Sequence, residues 1–221
     1  MTLLEAISNR HSVRAYEEKP LDGETVRRLQ ELTGKVNEES GLHIQLVTSE
    51  PKAFDSTIAH YGHFSGVSNY LALIGPKGPD LEEKCGYYGE KLVLEAQRMG
   101  LNSCWVALTY RKIPEAFEIR EKEKLTLVIA LGYGKSEGIA HKSRPIAETA
   151  PDYENAPDWF RRGAEAALLA PTAVNQQKYR FYLDDGAVSV KAGFGPCTRI
   201  DLGIVKYHFE IGAGKENFRW K

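Results

Sequence analysis

The order of helix-like and strand-like segments constrains the fold of this chain more than any other feature of its sequence. Helical patterns of apolar residues cover residues 2–9, 23–33, 81–99, 157–169 and 202–212. Strand patterns cover residues 42–48, 69–75, 124–131, 179–183 and 187–194. Because the strands and helices do not alternate regularly along the chain, we predict an α+β fold.

Single residues mark the ends of several of these predicted elements. Asp22 and Asp201 are placed to cap the helices that follow them, because a carboxylate accepts hydrogen bonds from the first helical turn. Gly100 is a natural end for the long third helix, since glycine readily adopts the left-handed conformation found there. Residues 184–186, Asp-Asp-Gly, predict a tight turn and therefore a hairpin.

The overall composition excludes several classes of function. Hydrophobic residues make up 42% of the 221 residues, which is enough to build a folded core. The net charge of −1 and the lack of a basic stripe argue against a nucleic-acid partner. The apolar runs are too short to cross a membrane, and the N-terminus does not resemble a secretory signal. We therefore expect a cytoplasmic protein with a small-molecule substrate and no membrane partner.

The cysteines and histidines indicate neither a disulfide framework nor a metal site. Cys85, Cys104 and Cys197 are odd in number and widely spaced, and no Cys-x-x-Cys pair occurs. His60 and His63 lie three residues apart, but no further ligand is near them in the sequence. We interpret these two histidines as structural or solvated and expect no bound metal.

A weak internal repeat suggests that the second half of the chain is a shortened copy of the first. The helix at 89–100 is followed by Trp105, and a helix of the same length at 203–214 is followed by Trp220. Between the copies lies a stretch with three prolines, which is typical of a linker. The predicted organisation is a first copy, a crossing linker and a second copy packed on the first, at residues 1–145, 146–158 and 159–221.

Two short basic segments could bind an anion. In the first, Arg10, Ser12 and Arg14 alternate, so an extended backbone would point all three side chains the same way. Arginine forks and a hydroxyl suit phosphate oxygens. In the second, Lys142 and Arg144 follow a strand that ends in glycines, where ligand sites are common. Taken alone, the first segment is more typical of a solvated loop, and the second of an exposed turn, than of a binding site.

Two further segments could contact an aromatic ring. Residues 170–177, Ala-Pro-Thr-Ala-Val-Asn-Gln-Gln, follow a helix rich in alanine and carry amides that both donate and accept hydrogen bonds. Residues 100–106, Gly-Leu-Asn-Ser-Cys-Trp-Val, could lay backbone against the flat face of a ring. The alternatives are ordinary turn chemistry for the first segment and a core tryptophan for the second.

Together these four segments resemble the FMN-dependent nitroreductase family, and the resemblance covers nearly the whole chain. The shared features are an Arg-x-Ser-x-Arg run, a Pro-Ser/Thr-x-x-Asn-x-Gln loop, a Gly-Leu-x-x-x-Trp segment and a Gly-Tyr followed by Lys-Ser-Arg. The resemblance implies a mixed, mostly antiparallel sheet flanked by helices and a bound FMN. It implies cofactor-binding roles for Arg10, His11, Ser12, Arg14, Trp105, Val106, Ala107, Lys142, Arg144, Pro171, Thr172, Ala173, Asn175 and Gln177.

The chain departs from the family pattern in the position of one loop. In a typical member the Pro-Ser-x-x-Asn loop follows the first two helices and reaches the flavin of the other subunit of a homodimer. Here residues 33–41 contain no such loop, and it occurs instead at 171–177. The chain therefore resembles a dimer fused into one polypeptide, a pseudo-dimer with one complete FMN site, and we expect a monomer. A second departure is Ala107, where many relatives have glycine.

The resemblance also implies an activity. NADH or NADPH would pass hydride to flavin N5, and a nitroaromatic or quinone would then take its place in a ping-pong cycle. No catalytic side chain is expected, because the flavin carries the chemistry. Two alternatives stay open: an FMN-binding protein without turnover, and a flavin enzyme of the same fold that acts on one specific metabolite.

Overall fold

The computed structural model describes all residues, Met1–Lys221, and the chain contains seven helices and seven strands. The helices are α1 (Leu3–Asn9), α2 (Gly23–Ser40), α3 (Thr57–Tyr61), α4 (Leu81–Arg98), α5 (Ile146–Thr149), α6 (Asp158–Leu168) and α7 (Thr198–Ala213). The strands are β1 (Gln45–Val47), β2 (Asn69–Pro76), β3 (Asn102–Val106), β4 (Glu123–Gly132), β5 (Tyr179–Asp184), β6 (Ala187–Ala192) and β7 (Arg219–Trp220). None of the helices combines the length and the apolar character that crossing a membrane requires.

The chain divides into two compact units, each built from stretches that are not consecutive. The four-strand unit comprises Asn9–Leu81 and Leu92–Ile139. The three-strand unit comprises Met1–Ser8, Glu82–Lys91 and Ala140–Lys221. These two units are defined by contacts in space, whereas the two predicted copies are defined by repetition along the sequence. The division into copies therefore stays a prediction.

The four-strand unit is built around the antiparallel sheet β1-β2-β4-β3. Strand β2 is almost fully buried, and β4 is buried from Leu127 to Gly132, because continuous apolar runs fit the middle of a covered sheet. Phe54, Phe64 and Tyr70 pack edge-to-face in the core on one side. The sheet therefore supplies a rigid frame for the segments that run along its edge.

Helix α2 begins where the sequence predicts and ends later. The Asp22 carboxylate accepts a hydrogen bond from the backbone N–H of Thr25 at 2.9 Å, as expected for a cap. Gly34 does not end the helix, which continues to Ser40 and stops at Gly41, whose φ is 71°. The left-handed conformation of Gly41 is the actual stop signal.

The three-strand unit contains the predicted hairpin β5-β6, and β7 pairs parallel with β6. Helices α6 and α7 pack closely: a Cβ added at Gly212 would lie 2.4 Å from the carbonyl oxygen of Arg162. The stretch expected to be a linker contains α5 and a 3-10 turn at Tyr153–Asn155, with Thr149 and Ala150 buried. Residues 146–158 are thus packed into this unit as ordered structure.

The expected cap of the last helix is wrong. Helix α7 begins at Thr198 and its N-cap is Cys197, so Asp201 lies within the first turn. The Asp201 carboxylate accepts hydrogen bonds from the backbone N–H of Ala173 and the side chain of Gln176. Because these partners are distant in sequence, the local pattern could not reveal them.

Candidate functional site

The basic run Arg10–Arg14 lies in the four-strand unit as an extended segment held on both sides. Its Val13 N–H donates to the carbonyl oxygen of Ser103 in β3 at 3.0 Å. On the other side, the N–H of Ser65 donates to the carbonyl oxygen of Arg14 at 3.0 Å. These backbone bonds fix the segment, so its side chains project in alternating directions.

Arg10, Ser12 and Arg14 alternate along this extended segment, and all three influence the thiol of Cys104. Burial raises the pKa of the Cys104 thiol, while the charges of Arg14 and Arg10 and a hydrogen bond from Ser12 act in the opposite direction. Val13 packs into the core cluster that also contains Cys104, and His11 lies close to Gly138. The structure thus brings together three of the four predicted residues of this run.

The donor set of this cluster fits a phosphate group. Arg10 is buried, with 2% of its surface exposed, and Arg14 is exposed. The Oγ of Ser103, whose backbone pairs with Ser12, is buried and has no hydrogen-bond partner in the structure. Guanidinium groups are permanent donors with fixed positive charge, and hydroxyls add neutral donors. The phosphate of FMN is an anion that such a set of residues fits.

Trp105, Val106 and Ala107 lie at the end of the edge strand β3. Val106 is buried opposite Val128 of β4, Trp105 is half-buried, and Ala107 is exposed. The chain then bends, and Leu108 is 80% exposed. The buried Val106 is therefore followed by a short solvent-facing segment, Ala107 and Leu108.

Helix α3 ends next to the bend that follows this strand. A Cβ added at Gly62 would lie 2.6 Å from the Thr109 side chain, so the end of α3 packs against the bend after β3. Ile58 and Tyr61 of α3 are 50% and 84% exposed, so this helix and Leu108 both present apolar surface to solvent.

The second and third predicted segments meet in the three-strand unit. The side-chain amides of Asn175 and Gln177 donate to the carbonyl oxygen of Lys142 at 3.0 and 2.9 Å. In return, the backbone N–H of Arg144 donates to Oε1 of Gln177 at 2.9 Å. The two amides therefore hold the backbone of the Lys-Ser-Arg segment, leaving the Lys142 and Arg144 side chains exposed.

The loop after α6 is itself fixed by internal hydrogen bonds. Pro171 is buried at the helix end, and Oγ1 of Thr172 accepts from the N–H of Gln177 at 3.0 Å. Val174 and Asn175 adopt positive φ angles of 47° and 53°, a conformation that is rare outside glycine. Such strain is found mainly where the surrounding structure enforces it, often at functional sites.

Asp201 and Gln176 support this loop, and the sequence pattern does not predict that role. Asp201 accepts from the Ala173 N–H at 3.0 Å and from Nε2 of Gln176 at 2.7 Å. Burial raises the pKa of Asp201 to about 6, while those two hydrogen bonds act to lower it. The carboxylate thus anchors the backbone of Ala173 from behind the loop.

These features define the class of the protein. An antiparallel sheet flanked by helices, in a mixed α+β order, matches the nitroreductase fold and confirms the fold that the sequence predicts. A sequence model of the family described as "Putative TM nitroreductase" matches residues 2–213. The chain belongs to this family, so the predicted family relationship is also confirmed.

Solved structures share the fold at low sequence identity. A putative nitroreductase from Thermotoga maritima MSB8 is 23% identical, with a TM-score of 0.70, and the match covers 98% of this chain and 85% of that one. A putative nitroreductase from Desulfovibrio desulfuricans, solved in complex with FMN, is 20% identical with a TM-score of 0.53, covering 67% and 94%. An FMN-dependent nitroreductase from Clostridium difficile R20291 is 16% identical with a TM-score of 0.50, covering 69% and 96%. No curated protein matches the chain.

Proposed function

We propose that this chain binds one FMN and uses NADH or NADPH to reduce small electron-poor acceptors such as nitroaromatics and quinones. Membership of a nitroreductase family supports the oxidoreductase class. The observation that carries the proposal is the placement of Arg10, Ser12 and Arg14 at alternate positions of one segment that backbone hydrogen bonds hold extended. Relatives that bind FMN, from Desulfovibrio desulfuricans and Clostridium difficile, support the choice of cofactor.

The residues of the four-strand unit have separate tasks in this proposal. Arg10 and Arg14 neutralise the phosphate, and Ser12 donates a hydrogen bond to it. Because the backbone of this segment is tied to β3, it needs no further ordering when the ligand binds, which lowers the cost of binding. When bound, FMN supplies the hydride chemistry that no side chain of the chain provides.

Trp105 and the exposed segment after it are proposed to border the reacting ring and the acceptor. Leu108, Ile58 and Tyr61 offer apolar contact area for a flat acceptor. Such a surface excludes water without requiring a charged group, which suits acceptors that carry no phosphate or carboxylate. Many relatives have glycine at the position of Ala107, and the methyl group of alanine would narrow the space beside the flavin ring.

Lys142, Arg144 and the loop at 171–177 are proposed to contribute to FMN binding, as the resemblance implies. The hydrogen bonds of Asn175 and Gln177 to the Lys142 carbonyl keep this segment and the loop together. They would act as positioning residues for the two cations. Asn175 itself is exposed in this loop and has a φ of 53°.

The proposal is tested by turnover of the purified, FMN-loaded protein. With a quinone or a nitroaromatic present, we expect oxidation of NADH or NADPH that requires both the FMN and the acceptor. Double-reciprocal plots at several acceptor concentrations should give parallel lines, as ping-pong kinetics requires. A protein that holds FMN but oxidises neither nucleotide would instead indicate binding without turnover. A protein that cannot be loaded with FMN at all would refute the proposal.

A further inference from the structure

A cavity of about 400 Å³ lies within the three-strand unit, beside the β5-β6 hairpin and the segment that enters α5. Its charged lining consists of four cations and one carboxylate: Arg144, Lys178, Arg180, Lys191 and Glu148. Tyr182 adds an aromatic wall. The volume is in the range that holds a small organic ligand or the polar end of a larger one.

The charges in this cavity are not balanced by carboxylates. Only Arg144 has an acidic partner, with its Nη1 2.7 Å from Glu148. Lys178 instead donates to the carbonyl oxygen of Phe194 at 2.8 Å, and Arg180 donates to the carbonyl oxygen of Glu148 at 3.2 Å. Carbonyl oxygens satisfy a donor but leave its positive charge uncompensated.

The remaining cation, Lys191, also has no carboxylate partner. Its ammonium group is 5.4 Å from the centre of the Tyr182 ring, a contact that also carries no negative charge. Three positive charges thus line one concave surface without an acidic partner. A concave surface with one sign of charge concentrates anions.

The register of the β5-β6 hairpin places two of these cations directly opposite each other. Arg180 and Lys191 are direct cross-strand partners, so two like charges face each other on the same side of the sheet. Like charges in directly opposite positions destabilise a sheet. An anion that binds both side chains would remove the repulsion and turn the pair into a favourable contact.

We propose that this cavity binds a small molecule that carries a diphosphate group. Arginine forks match the paired oxygens of phosphate, and lysines add charge with adaptable direction. A diphosphate offers enough oxygens to contact Arg180 and Lys191 together with a third cation of the lining. The cavity shares Arg144 and Gln177 with the residues proposed for FMN. The inference goes beyond the flavin site because Lys178, Arg180 and Lys191 are not among those residues.

The test is calorimetric titration of FMN-loaded protein with inorganic pyrophosphate and, separately, with ADP. We expect saturable binding of one pyrophosphate per chain. The double variant Arg180→Gln/Lys191→Gln should bind at least about tenfold more weakly, since it lacks two charge-assisted contacts. The matched control Lys215→Gln/Arg219→Gln removes the same charge from exposed positions of the same unit outside the cavity, and it should bind like the unmodified protein.

The outcomes separate the possible sources of the diphosphate. Equal affinity for both ligands supports a free diphosphate, and tighter binding of ADP supports a nucleotide. The proposal is overturned if pyrophosphate shows no saturable binding, or if the double variant and the control bind equally well. It is also overturned if the double variant loses FMN, because the cavity would then belong to the flavin site. Since both substituted side chains are exposed, an unchanged circular dichroism spectrum is expected to verify folding.

Discussion

At the scale of single residues, the placement of Arg10, Ser12 and Arg14 supports the proposal that the four-strand unit binds a phosphate group. Alternation along an extended segment puts the three side chains on one side, and hydrogen bonds to β3 and to Ser65 keep the segment extended. A buried Arg10 beside an exposed Arg14 offers one charge in a low-dielectric setting and one at the surface. The charge of the buried Arg10 should contribute more to the affinity for FMN. The exposed Arg14 is easier to test, because replacing it should not disturb folding.

Replacing Arg14 with alanine should weaken FMN binding without unfolding the protein. The side chain is exposed, and a charge-assisted contact with phosphate is worth roughly 1.5–3 kcal/mol, so the dissociation constant should rise by about tenfold or more. The measurement is fluorescence titration of FMN into the apoprotein. Arg28→Ala, an exposed arginine on α2, is the matched control and should bind FMN normally. Equal affinity in both variants would show that Arg14 does not hold the cofactor.

Asp201 makes a second prediction, which concerns pH. Its pKa is raised from 3.8 to about 6 in the folded state, because burial penalises the carboxylate. Below pH 4 the group is protonated in both the folded and the unfolded chain, so its contribution to stability is then fully present. As the pH rises to about 6, the unfolded chain ionises first, and roughly 3 kcal/mol of stability is lost.

The substitution Asp201→Asn should therefore flatten this part of the pH dependence. Asparagine stays neutral, so the free energy of unfolding should change less between about pH 4 and pH 6 than in the unmodified protein. Urea unfolding followed by circular dichroism at several pH values measures the difference. If the variant and the unmodified protein have the same slope, Asp201 does not titrate as its burial indicates.

At the scale of elements, close helix packing in the three-strand unit depends on glycine. A Cβ added at Gly203 of α7 would lie 2.0 Å from the carbonyl oxygen of Glu83 in α4, and one added at Gly86 would lie 2.0 Å from that of Ile200. Both neighbours are backbone atoms, which cannot move aside as a side chain can. These helices therefore approach each other at a distance that only glycine permits.

Gly203→Ala should destabilise the protein, by at least about 2–3 kcal/mol, because the helices must separate to admit the methyl group. Gly34→Ala is the matched control: it lies within α2, and nothing is within 4 Å of the added Cβ. This second variant should gain about 0.5–1 kcal/mol from its higher helix propensity. Thermal unfolding should shift in opposite directions for the two variants, and a shift in the same direction would contradict the packing account.

Most elements could be predicted from local pattern, and the exceptions have physical reasons. The apolar run at 124–131 and the turn at 184–186 each determine their own structure, and they appear as β4 and the β5-β6 turn. The strand β3 was not predicted, because residues 102–106 become a strand only through pairing with β4. Edge strands of this kind depend on a partner that is distant in sequence.

In the candidate site, too, some features follow from the local sequence and others depend on contacts between distant residues. The side shared by Arg10, Ser12 and Arg14 follows from alternation alone. By contrast, the contacts of Gln177 with Lys142 and Arg144, and of Asp201 with Ala173, join residues far apart in sequence. The buried pair of Glu90 and His208, both fully inaccessible to solvent, is equally invisible in the sequence. Such long-range polar contacts require the fold to be known first.

At the scale of the whole molecule, the position of the loop at 171–177 raises the question of how many flavins one chain binds. The stretch at 33–41, where typical relatives carry this loop, is occupied here by the end of α2 and its capping glycine. The second half of the chain in turn lacks an Arg-x-Ser-x-Arg run. If the chain is a fused dimer, each half supplies what the other lacks, and one complete site remains.

The central claim is one FMN per chain in a monomeric protein, and flavin stoichiometry measured together with molecular mass tests it most directly. The protein is saturated with FMN, passed through size-exclusion chromatography with light scattering, and the released flavin is quantified by absorbance. We predict one FMN for each monomer of 24.7 kDa. Failure to retain any FMN after saturation, or a dimer that needs two chains to hold each flavin, would contradict it.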